Sequence, residues 1–98
     1  MPALLDTVLQ TIRERRDAIE ARYGVRLVGV VGSVARGDER PDSDIDLIYE
    51  VTGRPSLFDL ARVMGELEDA LGRPIDLVDP SGMRPSGWQF MSKDLVTA

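Results

Sequence analysis

The fold class predicted by this 98-residue sequence is α/β (α+β): a small mixed three-stranded sheet flanked by helices. Three observations predict it. Stretches with apolar residues at helical spacing alternate with short, nearly continuous apolar runs, in the order α-β-α-β-α-β-α. The second and third apolar runs are separated by a helix of crossover length, which lets them lie parallel. The first and second are joined by a loop with room for only a helical turn, which suits an antiparallel pair.

The elements follow in order. Leu5, Val8, Leu9, Ile12, Ile19 and Tyr23 recur at spacings of three, four and seven, which predicts a helix over residues 3–23, with Arg13, Glu14, Arg15, Arg16 and Asp17 turned mostly to water. Gly24 fits its C-cap. "VRLVGVV", Val25–Val31, reads as a strand covered on both faces. "GSVARGDERPDS" is rich in glycine and charge, so one short helical turn after Gly32-Ser33 is the most it holds. Residues 45–51 form the second strand and "TGRP" a turn. Ser56 and Asp59 make a capping box for a helix whose stripe is Leu57, Leu60, Ala61, Met64, Leu67 and Leu71, stopped by Gly72 and Pro74. "IDLVD", residues 75–79, is the third strand. "PSGMRPSGWQ" is a loop by composition, and Phe90 to Val96 reads as a last short helix.

The length suits one domain over residues 1–98. A net charge of −5 argues against direct binding along a nucleic-acid backbone or an anionic membrane surface. There are no cysteines, which excludes disulfides and thiolate metal sites, and no histidine, so an enzyme here lacks the usual neutral-pH general base. The start has no basic n-region, and no apolar run reaches the roughly 20 residues of a membrane-spanning helix. A cytoplasmic protein is expected. A three-stranded sheet also leaves edges that invite pairing into a homo-oligomer.

The second strand carries an anomaly. "SDIDLIYE" places Asp44 and Asp46 at the leading end of an apolar segment. Strand alternation puts both on one face, with Cα atoms roughly 6 to 7 Å apart, and turns Ile45 and Leu47 into the core. Side-by-side carboxylates repel and lose solvation, which is costly without a cation. Magnesium fits, since it takes one or two protein carboxylates and completes its shell with water and phosphate oxygens. Asp76, between Ile75 and Leu77, repeats the pattern; in the right register it joins the same face, and three carboxylates then suffice for two metals about 4 Å apart. Asp79 reads as a loop acid. Taken singly, each of these aspartates reads better as a solvated residue of a sheet edge, or as an N-cap for Asp44; only the pair in an apolar strand brings the two readings level.

Upstream, Gly32-Ser33 follows the first strand directly. Free N–H groups at the opening of a helical turn attract phosphate oxygens, glycine lets the anion approach the main chain, and Ser33 adds a hydroxyl. Arg36 would bring a guanidinium to the same phosphates. Alone, the pair also reads as a turn with a serine cap, Arg36 as a surface residue or a partner of Asp44, and Gly37 as a C-cap.

Together, "GSVARGDERPDSDIDL" resembles the signature of the minimal nucleotidyltransferase domain of the DNA polymerase beta-like nucleotidyltransferase superfamily: Gly-Ser, ten residues, Asp-x-Asp, and a third acid on a later strand. The resemblance covers residues 1 to about 79 in element order, with motif identity confined to residues 32–47 and Asp76. It implies the nucleotidyltransferase fold, ATP held by Gly32, Ser33 and Arg36, and two Mg2+ ions held by Asp44, Asp46 and Asp76. A hydroxyl would attack the α-phosphate, with Asp76 completing the site and accepting the proton. The short chain lacks the accessory domains of larger relatives. It resembles the antitoxin of HEPN/MNT toxin–antitoxin pairs, which transfers AMP to a tyrosine of a HEPN ribonuclease toxin. Two alternatives stand beside it: an antitoxin acting by binding alone, through Trp88, Phe90 and Met91, and transfer to a small-molecule hydroxyl.

Overall fold

The structure, a computed structural model, describes residues 3–98. Helix α1 spans Leu4–Tyr23, and its Val8, Leu9, Ile12 and Ile19 are buried at the predicted spacing. Gly24 ends it in the left-handed region, donating its N–H to the Glu20 carbonyl. Strand β1 (Val25–Val31) leads directly into the five-residue helix α2 (Gly32–Arg36), which Gly37 caps. Strand β2 is Ile45–Val51. Helix α3 (Leu57–Leu71) opens with the expected capping box, Ser56 accepting from the Asp59 N–H and Asp59 from the Ser56 N–H. Strand β3 is Ile75–Val78.

The sheet is mixed, as predicted: β2 runs antiparallel to β1 and parallel to β3. It differs in strand count. A fourth strand, β4 (Val96–Thr97), pairs antiparallel with β1 and sets the order β3-β2-β1-β4. A two-residue strand shows no periodicity, so its own sequence could not announce it. Its partner did carry a mark. Gly29 interrupts an apolar run, and a Cβ there would collide with the Val96 carbonyl. The tail is corrected likewise. Helix α4 is Pro85–Ser92, not Phe90 to Val96, and a 3-10 turn (Pro80–Gly82) occupies the start of the segment read as loop. Pro and Gly made that segment look irregular. Yet Pro85 stands in the first turn of α4, where proline's fixed φ favours a helix and its missing N–H costs nothing.

One face of the sheet holds the core. Val25, Leu27 and Val30 of β1, Ile45, Leu47 and Tyr49 of β2, and Ile75 of β3 pack with buried residues of α1 and α3. A bulge at Val28 shifts the β1–β2 register by one residue and keeps Val30 on that face after Leu27. The even positions of β2 turn to the other face. There Ile48 is covered at 2% exposure and Val31 at 0%, although neither joins the main cluster. The 3-10 turn packs against β2. Among the described residues no helix is long and apolar enough to cross a membrane.

Candidate active site

The carboxylates meet through the parallel β2–β3 ladder. Ile45, Asp46, Leu47 and Ile48 pair in register with Ile75, Asp76, Leu77 and Val78, so Asp46 and Asp76 are direct cross-strand neighbours on the face opposite the core. Asp44 lies one residue before β2, exposed, at the end of the irregular segment after Gly37. Its charge still reaches Asp46. The Asp46 carboxyl is pushed above its ordinary value of 3.8, chiefly by burial, then by the negative charges of Asp76 and Asp44 and by hydrogen bonding with Asp76, while Arg36 opposes the shift.

The glycine-serine element arrives at the same place. Val31, the last residue of β1, is the register partner of Asp46, so the chain leaves the sheet opposite the second aspartate. Gly32 follows with φ 77°. A Cβ on Gly32 would lie 2.5 Å from Asp46 Oδ2, so the carboxylate rests on bare backbone where a side chain would stand. Ser33 is half-buried in the first turn of α2, and its carbonyl accepts the N–H groups of Gly37 and Asp38. Gly32, Asp46 and Asp76 therefore meet, with Ser33 next along the chain and Asp44 at the rim.

Arg36 is exposed, in keeping with its reading as a surface residue, but its partner is not Asp44. Its Nε donates to Asp38 at 3.2 Å and its Nη1 to Asp94 at 2.9 Å. Both acids escaped sequence reasoning. Asp94 stands 58 residues away, in the short link between α4 and β4, and nothing local marks it. Arg36 remains near enough for its charge to be felt at Asp46. Asp79 is the expected loop acid, its Oδ1 accepting from the backbone N–H and hydroxyl of Ser81.

The donor set suits a hard divalent cation. Its oxygens are carboxylate, partly desolvated and mutually repelling, and the raised Asp46 shows the charge that a cation would neutralise. Among the described residues no three acidic side chains are grouped closely enough to form a metal cage. Magnesium seldom uses one, since water and substrate phosphates supply the rest of its shell. A separate cavity of about 160 Å³, lined by Ile19, Arg22, Tyr23 and Glu66 among others, lies between α1 and α3, on the opposite side of the sheet from these acids.

Comparison with known proteins agrees with the geometry. The nucleotidyltransferase domain family matches residues 12–96. The chain is 32% identical to the protein adenylyltransferase MntA of Thermococcus cleftensis over 94% of its own length and 93% of that protein's. It is also 32% identical, over 79% of this chain and 83% of the other, to a Methanocaldococcus jannaschii chain provisionally assigned as a protein adenylyltransferase. Among solved structures, one described as a minimal nucleotidyltransferase superposes with a TM-score of 0.69 at 38% identity, covering 90% of this chain and 93% of that one. A second, a toxin–antitoxin structure with AMP-PNP, shares the fold with a TM-score of 0.65 at 18% identity, covering 94% and 69%. A glycine-serine turn set against two in-register aspartates is thus found in a chain that, by sequence and by fold, belongs to the nucleotidyltransferase domain family.

Proposed function

We propose that this nucleotidyltransferase, acting as a single domain over residues 1–98, transfers AMP from ATP to a tyrosine hydroxyl of a HEPN-type ribonuclease toxin and thereby neutralises it. The observation that carries the reading is the in-register pair Asp46–Asp76 lying against the bare backbone of Gly32. The names of the similar chains, protein adenylyltransferases, support a protein acceptor, and the toxin–antitoxin neighbour with AMP-PNP supports the fold's use with a nucleotide.

In this mechanism Asp44, Asp46 and Asp76 would hold two Mg2+ ions, which when bound neutralise the triphosphate and acidify the attacking hydroxyl. The backbone N–H groups of Gly32 and Ser33, and the Ser33 hydroxyl, receive triphosphate oxygens. Arg36 adds a fixed positive charge beside them. The tyrosine oxygen forms a bond to the α-phosphorus as the bond to the bridging oxygen breaks, and that electron pair leaves with pyrophosphate. Asp76, exposed at the end of its pair, accepts the hydroxyl proton. A carboxylate and a metal thereby replace the histidine that the chain lacks.

The test is a mass measurement on the cognate toxin after incubation with this protein, ATP and magnesium. A gain of one or more adenylyl groups on tyrosine, absent with Asp46→Asn, is expected. Inhibition without mass gain, equally strong with Asp46→Asn, would overturn the reading. It would favour instead an antitoxin that acts by binding alone, a reading supported by the 75% exposure of Phe90 on α4.

A further inference from the structure

We propose that Arg73 is a positioning residue that fixes Asp44 relative to Asp46 and Asp76; the proposal rests on the nucleotidyl-transfer reading of the site. The three aspartates are not held alike. Asp46 and Asp76 sit in a hydrogen-bonded ladder, and their separation is set by the sheet. Asp44 lies outside β2, at the end of a stretch without regular structure that begins after α2. A carboxylate on such a segment converges with the others only if something anchors the segment.

Arg73 supplies the anchor from the link between α3 and β3. Its Nη1 donates to the Arg40 carbonyl at 2.8 Å and to the Ser43 carbonyl at 3.1 Å, so one guanidinium nitrogen spans the turn immediately before Asp44. That turn is closed on itself. The Arg40 N–H donates to Ser43 Oγ at 2.8 Å and the Ser43 N–H to the Arg40 carbonyl at 3.0 Å, so a hold at two carbonyls holds the whole turn. The other end of the anchor is equally fixed. The Pro74 carbonyl accepts the Ile45 N–H at 2.9 Å, and Glu68 Oε1 accepts the Ile75 N–H at 3.2 Å. Arg73 therefore stands on the backbone that starts β3, two residues before Ile75 and three before Asp76, and grips the backbone that ends at Asp44. It ties the irregular aspartate to the strand that bears the third.

This differs from a merely stabilising contact. Arg73 touches none of the three carboxylates and belongs neither to the β2–β3 ladder nor to the core cluster. What its loss removes is the restraint on one of three oxygen donors. Loss of partners that orient metal ligands typically lowers metal affinity by roughly 10- to 100-fold.

The experiment uses the intact protein in three forms: wild type, Arg73→Met, which keeps the stem and removes the donors, and Arg73→Lys, which restores a donor. Hydrogen exchange at the amides of residues 43–46 is measured without metal, and the magnesium concentration for half-maximal rise of Tm at fixed ATP is measured alongside. Arg73→Met is expected to speed exchange at those amides and to raise the magnesium half-point about tenfold or more, with Arg73→Lys between it and wild type. A lowered Tm in Arg73→Met with an unchanged magnesium half-point would overturn the positioning role and leave the nucleotidyl-transfer reading standing. Wild type showing no response to magnesium and ATP would overturn both. If Arg73→Met does not fold, Arg73→Gln, too short to reach both carbonyls, takes its place, and wild-type exchange with a wild-type half-point in that variant overturns the proposal.

Discussion

Along β2, Ile45, Leu47 and Tyr49 face inward, packed among α1, α3 and the neighbouring strands, while Asp46 between them is half in solvent and surrounded by acids. The two faces of one strand are under opposite demands. On the inner face each side chain lowers the free energy of the fold by leaving water. On the outer face Asp46 raises it, because burial and two neighbouring carboxylates oppose its charge. A strand that tolerates this on one face must be secured by the other, and the fully covered Ile45 and Leu47 on either side of Asp46 do that.

Exchanging the effects of the two faces is the strongest way to break the comparison. Asp46→Asn is expected to reduce AMP transfer by more than about 100-fold, since on the proposed mechanism it removes a direct metal ligand where even a supporting partner matters about 10- to 100-fold. The same change should raise the Tm of the metal-free protein by removing a charge that burial and its neighbours oppose. Leu47→Ala, one residue on and facing inward, is expected to cost about 2–5 kcal/mol of stability while leaving the rate per folded molecule near wild type. Denaturant titration and a single-turnover transfer assay distinguish them. An Asp46→Asn protein that is less stable and fully active would collapse the distinction.

Gly32→Ala tests where the two faces meet the turn. The left-handed φ of 77° costs an alanine about 1–2 kcal/mol. The added Cβ would also fall 2.5 Å from Asp46 Oδ2, so the carboxylate must move. Stability and transfer should therefore drop together, unlike either substitution in β2. Calorimetry beside the transfer assay reads both.

The outer face also predicts a pH dependence. Asp46 has a folded-state pKa above the ordinary 3.8, so between that value and the raised one the folded protein holds more protons than the unfolded. Its contribution to stability is accordingly lost as pH rises through this window, and the full penalty stands above it. Metal-free wild type should thus gain less stability than Asp46→Asn as pH is raised from about 3.8. Magnesium with ATP should narrow the difference at neutral pH. Urea titrations of both proteins across the acid range measure it.

These contrasts also explain what was legible in the sequence. The "I-D-L" triplet occurs in both β2 and β3, and matching Ile45 with Ile75 and Leu47 with Leu77 forces Asp46 against Asp76; a slip of one residue would turn one strand's apolar set to water. The convergence of Asp46 and Asp76 was therefore implicit in hydrophobic patterning. The two long helices and three principal strands were legible for the same reason. What stayed hidden had no period to reveal it. Strand β4 has two residues, α4 begins in a Pro-Ser-Gly segment, and Arg73 acts through carbonyls, which every residue possesses. Arg36 showed that a charged residue can be marked as important while its partners Asp38 and Asp94 remain out of view.

Asp94 gives the smallest expected effect and the finest test of how the tail serves the outer face. Its carboxylate and the Arg36 guanidinium both contact water, so loss of the pair should hardly move Tm. Its consequence lies in orientation. With Nε on Asp38 and Nη1 on Asp94, the guanidinium is held at two points and its remaining donors keep one direction. Asp94→Ala leaves Asp38 alone to hold it, and on the proposed mechanism a rotating guanidinium meets a triphosphate less often in the right pose. KM for ATP should rise several-fold with kcat nearly unchanged, and Asp94→Asn, which keeps an acceptor for Nη1, should do less. Steady-state kinetics with the proposed toxin as acceptor separate these outcomes. A fall in KM for Asp94→Ala would mean instead that Asp94 competes with phosphate for Arg36, and that the tail restrains the site rather than arranging it.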